Sequence, residues 1–579
     1  MATPNRRSDR GTLVTAPGHV TVAARRRRWV TLVLALLVLN ASLAFRNIWP
    51  TPAVWWTGEA SVELAVALVL LLALRRVTGY VSRRALSCLT AVWGLLVIGR
   101  YADVTAPALL GREINLFWDV RYTADVAAMF LKVASPLAIA AAAAAGVAVM
   151  ALLYRSLRWA LGRVAAAVTL TSERRAVATG AFATTALFLT QLATDGRPPI
   201  PRFSKPVVMS FVRHATLVAE AFDTSTVGQA PPAALASDLS LVAGADVLLV
   251  FLESYGAVTW QRPAFVDRLA GDRARLEAAV LQARQDIVST YVESPTFGGS
   301  SWFAHLSLLS GIEIRDPNAH ARLMIEKRDT LVTTFAHQGY RAIAVMPGLW
   351  QPWPEGSFYG FQDIYGGERL GYKGPQFGWW AIPDQFALAQ LGALELSRVE
   401  RPPLFVFFPT VSTHTPFAPA PLYQPDWTRM LTAQPFDEAE VIRRFDDQPD
   451  WTNLSPSYAD AVAYTHTVLT GFLEQPRSRD LVMVLLGDHQ PPALVTGEGA
   501  SWNVPVHVIT SRRAILERLR AQGFASGLEP RGTSIGRMHE LLPILLDSFG
   551  DRLPPASANA RLVGQPPLRT VQAPTPATR

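Results

Sequence analysis

Four polar residues of the C-terminal half follow short apolar runs, and their side chains can bind metal or carry protons. Ala245–Leu252 stops at Glu253, and Leu481–Leu486 stops at Gly487-Asp488-His489. Leu404–Phe408 leads through Pro409-Thr-Val-Ser-Thr to His414, and a fourth run, Ala342–Met346, stops at Pro347-Gly348. Two carboxylates and an imidazole suit one hard-to-borderline divalent ion, Mn²⁺ or Zn²⁺. A nucleophile is available in Tyr291–Gly311, where Gly298-Gly299 frees the backbone before Ser300-Ser301. These serines open a predicted helix that Gly311 terminates. A hydroxyl at a helix N-terminus faces free N–H groups and the positive end of the dipole, a setting for phosphate. Either serine can fill that position, and the other is then the helix cap.

Unbroken apolar runs are the mark of parallel strands buried on both faces. Here they alternate with helical patterns, which predicts an α/β domain with a largely parallel central sheet. Open α/β sheets bind ligands at the carboxyl ends of their strands, so Glu253, His414, Asp488 and His489 are expected along one edge. This domain is expected over residues 244–552. A Pro-, Ala- and Ser-rich linker with one helix near Val207–Phe222 precedes it over 195–243. A disordered Pro/Ala/Thr-rich tail follows over 553–579.

The rest of the 579-residue chain has a different composition. Half of the whole chain is hydrophobic and only 17% is charged, with mean hydropathy +0.19. Residues 1–200 hold 22 basic against 9 acidic side chains, and the remainder holds 32 against 37. The basic half is also the apolar half, so the arginine excess reads as membrane topology rather than nucleic-acid binding. Cys88 is the lone cysteine, which excludes a disulfide scaffold and a cysteine-built metal site.

Behind a basic tail at 1–28, five apolar stretches within 29–194 are expected to be spanning helices: Trp29–Phe45, Trp55–Leu74, Ala85–Gly99, Ser135–Tyr154 and Ala176–Ala193. With the N-terminus in the cytoplasm, sixteen arginines fall inside and five cations outside, as the positive-inside rule requires. Five spans then deliver residues beyond about 194 to the far side. Asn115–Lys132, with Trp118 and Tyr122 among its charges, reads as an interfacial helix or a lid.

Taken together, Phe251-Leu-Glu-Ser-Tyr255, the 291–311 segment, Ser412-Thr-His-Thr-Pro-Phe417 and Gly487-Asp-His-Gln490 resemble the alkaline-phosphatase/sulfatase superfamily. Within it the chain looks most like the membrane-bound phosphoglycerol and phosphoethanolamine transferases, including lipoteichoic acid synthase and periplasmic-glucan phosphoglycerol transferase. The resemblance implies an N-terminal five-helix transmembrane domain and an external alkaline-phosphatase-like domain, in a bacterial inner membrane. It implies Glu253, Asp488 and His489 as metal ligands together with the nucleophile, and His414 as the histidine that meets the substrate phosphate. The resemblance favours Ser301 over Ser300 as nucleophile, because the spacing from Ser301 to the helix-ending Leu309-Ser310-Gly311 matches the family better. The implied partners are a membrane phospholipid donor and an extracytoplasmic glycan or lipid acceptor, joined by a phosphoseryl enzyme.

Departures from the pattern narrow this picture. Ser301 is followed by Trp302-Phe303-Ala304-His305, not the Pro-Ser-Arg spacing of sulfatases. Gln490-Pro-Pro replaces the Gly-Glu-Ser that follows the histidine in lipid A phosphoethanolamine transferases. Leu349-Trp350-Gln-Pro-Trp353-Pro-Glu355 stands where lipoteichoic acid synthase has a Trp-Asn-Arg clamp, leaving Trp350 and Trp353 as candidate pocket walls without the arginine. A hydrolase with water as acceptor, and a glycan-binding membrane protein without catalysis, are the rival readings.

Overall fold

A computed structural model describes residues 22–551, apart from 50, 115–118, most of 121–134, 194–201, 223–234, 236, 327, 352, 354 and 379–380. The chain divides into two compact units.

The first unit is mainly helical. Its long helices are α1 (Val22–Ala41), α2 (Val62–Thr78), α3 (Arg83–Leu110, in this unit as far as Val104), α4 (Pro136–Ala167) and α5 (Thr171–Ala193), followed by α6 (Val207–Phe222, in this unit as far as Thr216). Three of them, α3, α4 and α5, are long and apolar enough to cross a membrane. Helix α1 begins with Arg25–Arg28 and α2 has only 17 residues. The expected second span is corrected at its start. Val54–Trp56 forms strand β2, antiparallel to β1 (Phe45–Asn47), because an aromatic and β-branched run suits a strand as well as a span. Asn40 closes this turn region, its amide donating to Glu59 O and its carbonyl accepting from Ser61 N, both at 2.8 Å. The expected interfacial helix at 115–132 lies largely outside the described residues, as does the whole tail at 553–579.

The second unit is built on an eight-stranded sheet. Its strands are β3 (Asp246–Leu252), β4 (Asp286–Glu293), β5 (Arg341–Val345), β6 (Asp363–Tyr365), β7 (Leu404–Pro409), β8 (Leu481–Gly487), β9 (Asn503–Thr510) and β10 (Ala525–Ser526). Their spatial order is β10-β4-β9-β8-β3-β7-β5-β6. From β8 to β6 every pairing is parallel, and β9 is antiparallel between β8 and β4. The four apolar runs are thus the adjacent central strands β8, β3, β7 and β5.

Both faces are buried, as the unbroken runs require. Along β3, Leu248, Val250 and Leu252 enter one hydrophobic core, and Val247, Leu249 and Phe251 enter the other. This is the period-two alternation of a strand, with apolar partners on each side. Helices α7 (Pro263–Gln282) and α8 (Ser455–Glu474) cover the first face. Helices α9 (Ser301–Ser310) and α10 (Leu541–Phe549) cover the second. Leu239 and Val242, ahead of β3, belong to the second core.

Candidate metal and phosphate site

Strand register builds the site. Leu252 on β3 pairs in parallel with Gly487 on β8, so the next residues, Glu253 and Asp488, emerge side by side. On the other flank β7 pairs with β3 through Phe251 and Pro409. The following residue, Thr410, offers its hydroxyl to the Glu253 N–H at 2.9 Å. Thr413 also donates to the Glu253 carbonyl. Ser254 has φ 54, and its N–H donates to Asp488 Oδ1 at 2.8 Å. Left-handed backbone at a residue other than glycine is strained, and here the strain aims an amide at a ligand.

Helix α9 brings the hydroxyl. Gly298 has φ +66, and a Cβ there would lie 2.2 Å from Leu110 O; only glycine lets the chain pass and deliver the helix start. Ser301 Oγ donates to Glu253 Oε2 at 3.0 Å and lies 3.2 Å from His489 Nε2. His489 Nε2 is 3.6 Å from Glu253 and 3.7 Å from Asp488. One ligand atom each from Glu253, Asp488 and His489 falls within 4.8 Å of the others. Ser300, with φ 64, caps the helix through its backbone and has no side-chain cap bond. Of the two serines, Ser301 meets the cluster.

Electrostatics fit a cation. Burial, then the charge of Glu253, pushes Asp488 well above the usual aspartate range. Glu253 feels the same burial, but His489 and His414 and the hydrogen bonds it accepts hold it below the usual range. Burial lowers His489, against the raising effect of Glu253 and of the Gln490 carbonyl. Its Nδ1 is 2.8 Å from Gln490 O, the carbonyl contact that leaves the other nitrogen unprotonated for a metal. No lysine or arginine forms an ion pair with Glu253 or Asp488 among the described residues. Two buried carboxylates without a fixed cation repel each other unless one holds a proton, and a divalent ion meets both. The donor set therefore fits the expected metal.

The other expected residues are less central. His414 lies outside the hydrogen-bonded cluster, with Nδ1 2.7 Å from Thr415 O, though its charge acts on Glu253 and His489. Trp353 is half-buried, its ring 5.2 Å from that of Tyr359, and it lines a cavity with His305. Trp350 does not reach that cavity; it is 43% exposed and covers Gly367. The residues that sequence reasoning missed are Ser254, Thr410, Thr413 and Asp384. Asp384 accepts from Val411 N and Ser412 N at 2.8 and 3.0 Å, fixing the loop that carries His414. Burial raises its pKa to about 6. The hydroxyl-rich Ser-Thr run around His414 is the one signal that marked this loop.

The sulfatase family model matches residues 311–507. The chain carries a sulfatase-family domain. The matched stretch holds His414, Asp488 and His489 and stops short of Glu253 and Ser301. No curated protein sequence matches the chain. Among solved structures it is similar to the integral membrane lipooligosaccharide phosphoethanolamine transferase A of Neisseria meningitidis. That pair has 13% identity and TM-score 0.46, covering 90% of this chain and 95% of that one. The lipoteichoic acid synthase LtaP of Listeria monocytogenes shares 13% identity at TM-score 0.34; 46% of this chain matches, spanning 65% of the Listeria chain. The Streptococcus pyogenes phosphoglycerol transferase GacH, solved with sn-glycerol-1-phosphate, shares 14% at TM-score 0.32, covering 55% and 84%.

Proposed function

We propose that the sulfatase-family domain transfers a phospholipid-derived phospho-headgroup, through a phosphoseryl enzyme at Ser301, to an extracytoplasmic glycan or lipid. The observation that carries this reading is the Ser301 hydroxyl within 3.0 Å of Glu253 and 3.2 Å of His489, at the start of a helix. Glu253, Asp488, His489 and Ser301 would hold one manganese or zinc ion. When bound, such an ion supplies the positive charge that lets a hydroxyl lose its proton at neutral pH.

The residues divide the remaining work. Glu253 accepts the Ser301 hydrogen bond and so fixes which lone pair of Oγ faces the incoming phosphorus. The first-turn N–H groups of α9 and the helix dipole favour the phosphate charge there. The Ser301 proton passes to Glu253 as the bond from Oγ to phosphorus forms and the bond from phosphorus to the glycerol oxygen breaks, releasing diacylglycerol. His414 gives the leaving oxygen its proton. An acceptor hydroxyl then attacks the phosphoserine in the reverse sense, giving its proton to His414, and the freed Ser301 oxygen takes its proton back from Glu253.

The topology that serves this chemistry has the N-terminus in the cytoplasm and five spans in a bacterial inner membrane. The catalytic domain then stands at the outer surface, where a bilayer-held donor is within reach. Mass spectrometry of the intact protein, purified from membranes with manganese, tests the proposal. A headgroup-phosphate adduct on Gly298–Gly311 that disappears in Ser301→Ala supports it; an adduct that persists refutes the assignment. Release of free headgroup phosphate without any acceptor would instead establish the hydrolase with water as acceptor.

A further inference from the structure

Beside the nucleophile lies a cavity of about 310 Å³, at the small end of ligand pockets, which begin near about 300 Å³. Its volume suits a group the size of a headgroup. Trp302 and His305 line it from α9, Trp353, Glu355 and Tyr359 from the loop after β5, and Phe407 from β7. The rings close on one another. Trp302 stands 4.6 Å from His320, Trp353 5.2 Å from Tyr359, and His305 5.4 Å from Phe407, centroid to centroid.

One charged residue sits in this aromatic wall. Glu355 lines the cavity and forms no ion pair among the described residues; no lysine or arginine lines the cavity either. The two histidines there are both lowered by burial, His305 to about 3, so they bring no positive charge. His305 Nε2 is also buried with no hydrogen-bond partner. Aromatic faces attract a cation through their quadrupoles, and a carboxylate among them completes a cage for an organic ammonium. Glycerol, being neutral, would leave the Glu355 carboxylate without a partner, at a desolvation cost.

We infer that this cavity binds the terminal ammonium of the donor headgroup, so that the transferred group is an aminoalkyl phosphate. The inference rests on the reading of Ser301 as nucleophile. Position supports it. Ser301 and His305 are one helical turn apart on the same face, about 5–6 Å between Cβ atoms. An ethanolamine or choline nitrogen stands four bonds from its phosphorus, a reach that spans that turn. A primary ammonium has N–H groups for Glu355 and the free His305 nitrogen, whereas a quaternary one relies on the rings and the charge.

Binding is measured on the full-length protein in detergent, by calorimetry and tryptophan fluorescence, with ethanolamine, choline and glycerol as probes. One or both amines bind and glycerol does not. Glu355→Gln, which keeps the shape, weakens amine binding about ten- to thirty-fold, and Trp353→Ala does the same. Equal binding of glycerol, or unchanged amine affinity in Glu355→Gln, overturns the inference. Ser301→Ala retains the amine site, so it separates this claim from the catalytic one. Adduct mass completes the test. Phosphoethanolamine or phosphocholine on the peptide supports the inference, and glycerophosphate refutes it while leaving the phosphoseryl reading intact. No adduct from any lipid, with amine binding preserved, sinks the phosphoseryl reading and with it the assignment of the amine to a donor headgroup.

Discussion

At the amino end of β3, the Asp246 carboxylate meets the Arg401 guanidinium through two contacts of 2.6 Å, with side chains only 6% and 4% exposed. Nearby Arg341 lies between Glu395 at 2.8 Å and Asp363 at 2.9 Å. At the carboxyl end of the same strand, Asp488 is buried and Glu253 nearly so, and their one ion-pair partner among the described residues is His489. A buried carboxylate costs several kcal/mol unless something offsets its charge. The amino end carries its offset permanently in covalent sequence. On the proposed function, the carboxyl end takes its offset from an exchangeable cation, one that would also meet the Ser301 oxygen and a substrate phosphate. The contrast teaches which buried acids serve the fold and which serve chemistry.

Substitutions that treat the two ends alike should give unlike results. Ser301→Ala produces the largest effect, a loss of turnover of about 10³-fold or more, with folding and metal content unchanged. If Ser300→Ala alone does this, the nucleophile moves one residue and the geometry at Glu253 has been misread. Next comes Asp488→Asn, which removes a ligand and abolishes stoichiometric manganese or zinc by elemental analysis. In chelator-treated protein the same change raises the unfolding temperature, because it removes a carboxylate that burial and Glu253 disfavour.

The pH dependence follows from the same group. The folded state keeps a proton on Asp488 that the unfolded chain loses above about pH 3.9. The folded state then binds more protons, so metal-free stability falls as pH rises above that value. Asp488→Asn should flatten this slope, and added manganese should do so in the native chain. A native slope that is already flat would mean the two acids do not repel. Arg401→Ala gives the opposite result to Asp488→Asn. It strands Asp246 and costs about 3–5 kcal/mol in urea unfolding, while kcat of the surviving folded protein is kept.

The carboxyl end was legible in the sequence because a parallel strand buried on both faces is one unbroken apolar run, so Glu253 and Asp488 stand out where each run stops. The sharp Gly298-Gly299-Ser300-Ser301 turn was legible for the same kind of local reason. What supports these residues was hidden. The Thr410 hydroxyl and the Glu253 amide are 157 positions apart, and strand register alone joins them. Asp384 and Glu355 are single acids in irregular segments, with no period to distinguish them from solvated loop residues. In the helical unit, Trp55 and Trp56 of the Val54–Trp56 strand read as the start of a span because apolarity alone does not separate the two. At the amino end of the sheet, the Asp246–Arg401 pair joins residues 155 positions apart and had no local mark at all.

The smallest expected effect probes how finely the carboxyl end is set. Thr410→Val keeps the shape of the side chain and removes the hydroxyl that accepts from the Glu253 amide at 2.9 Å. A buried amide left unsatisfied costs about 1–3 kcal/mol, which should appear as a modest drop in unfolding temperature. Because the bond orients a ligand rather than supplying one, metal affinity should weaken about 10–100-fold while the ion still binds at saturating concentration. Turnover measured with saturating manganese should then recover most of its native value, unlike that of Ser301→Ala or Asp488→Asn. Thr413→Val, which loses its bond to the Glu253 carbonyl, should behave alike. Should either valine variant stay inactive at saturating metal, the threonines act on the reacting groups themselves, and the division between support and chemistry at this end of the sheet has been drawn one residue too narrowly.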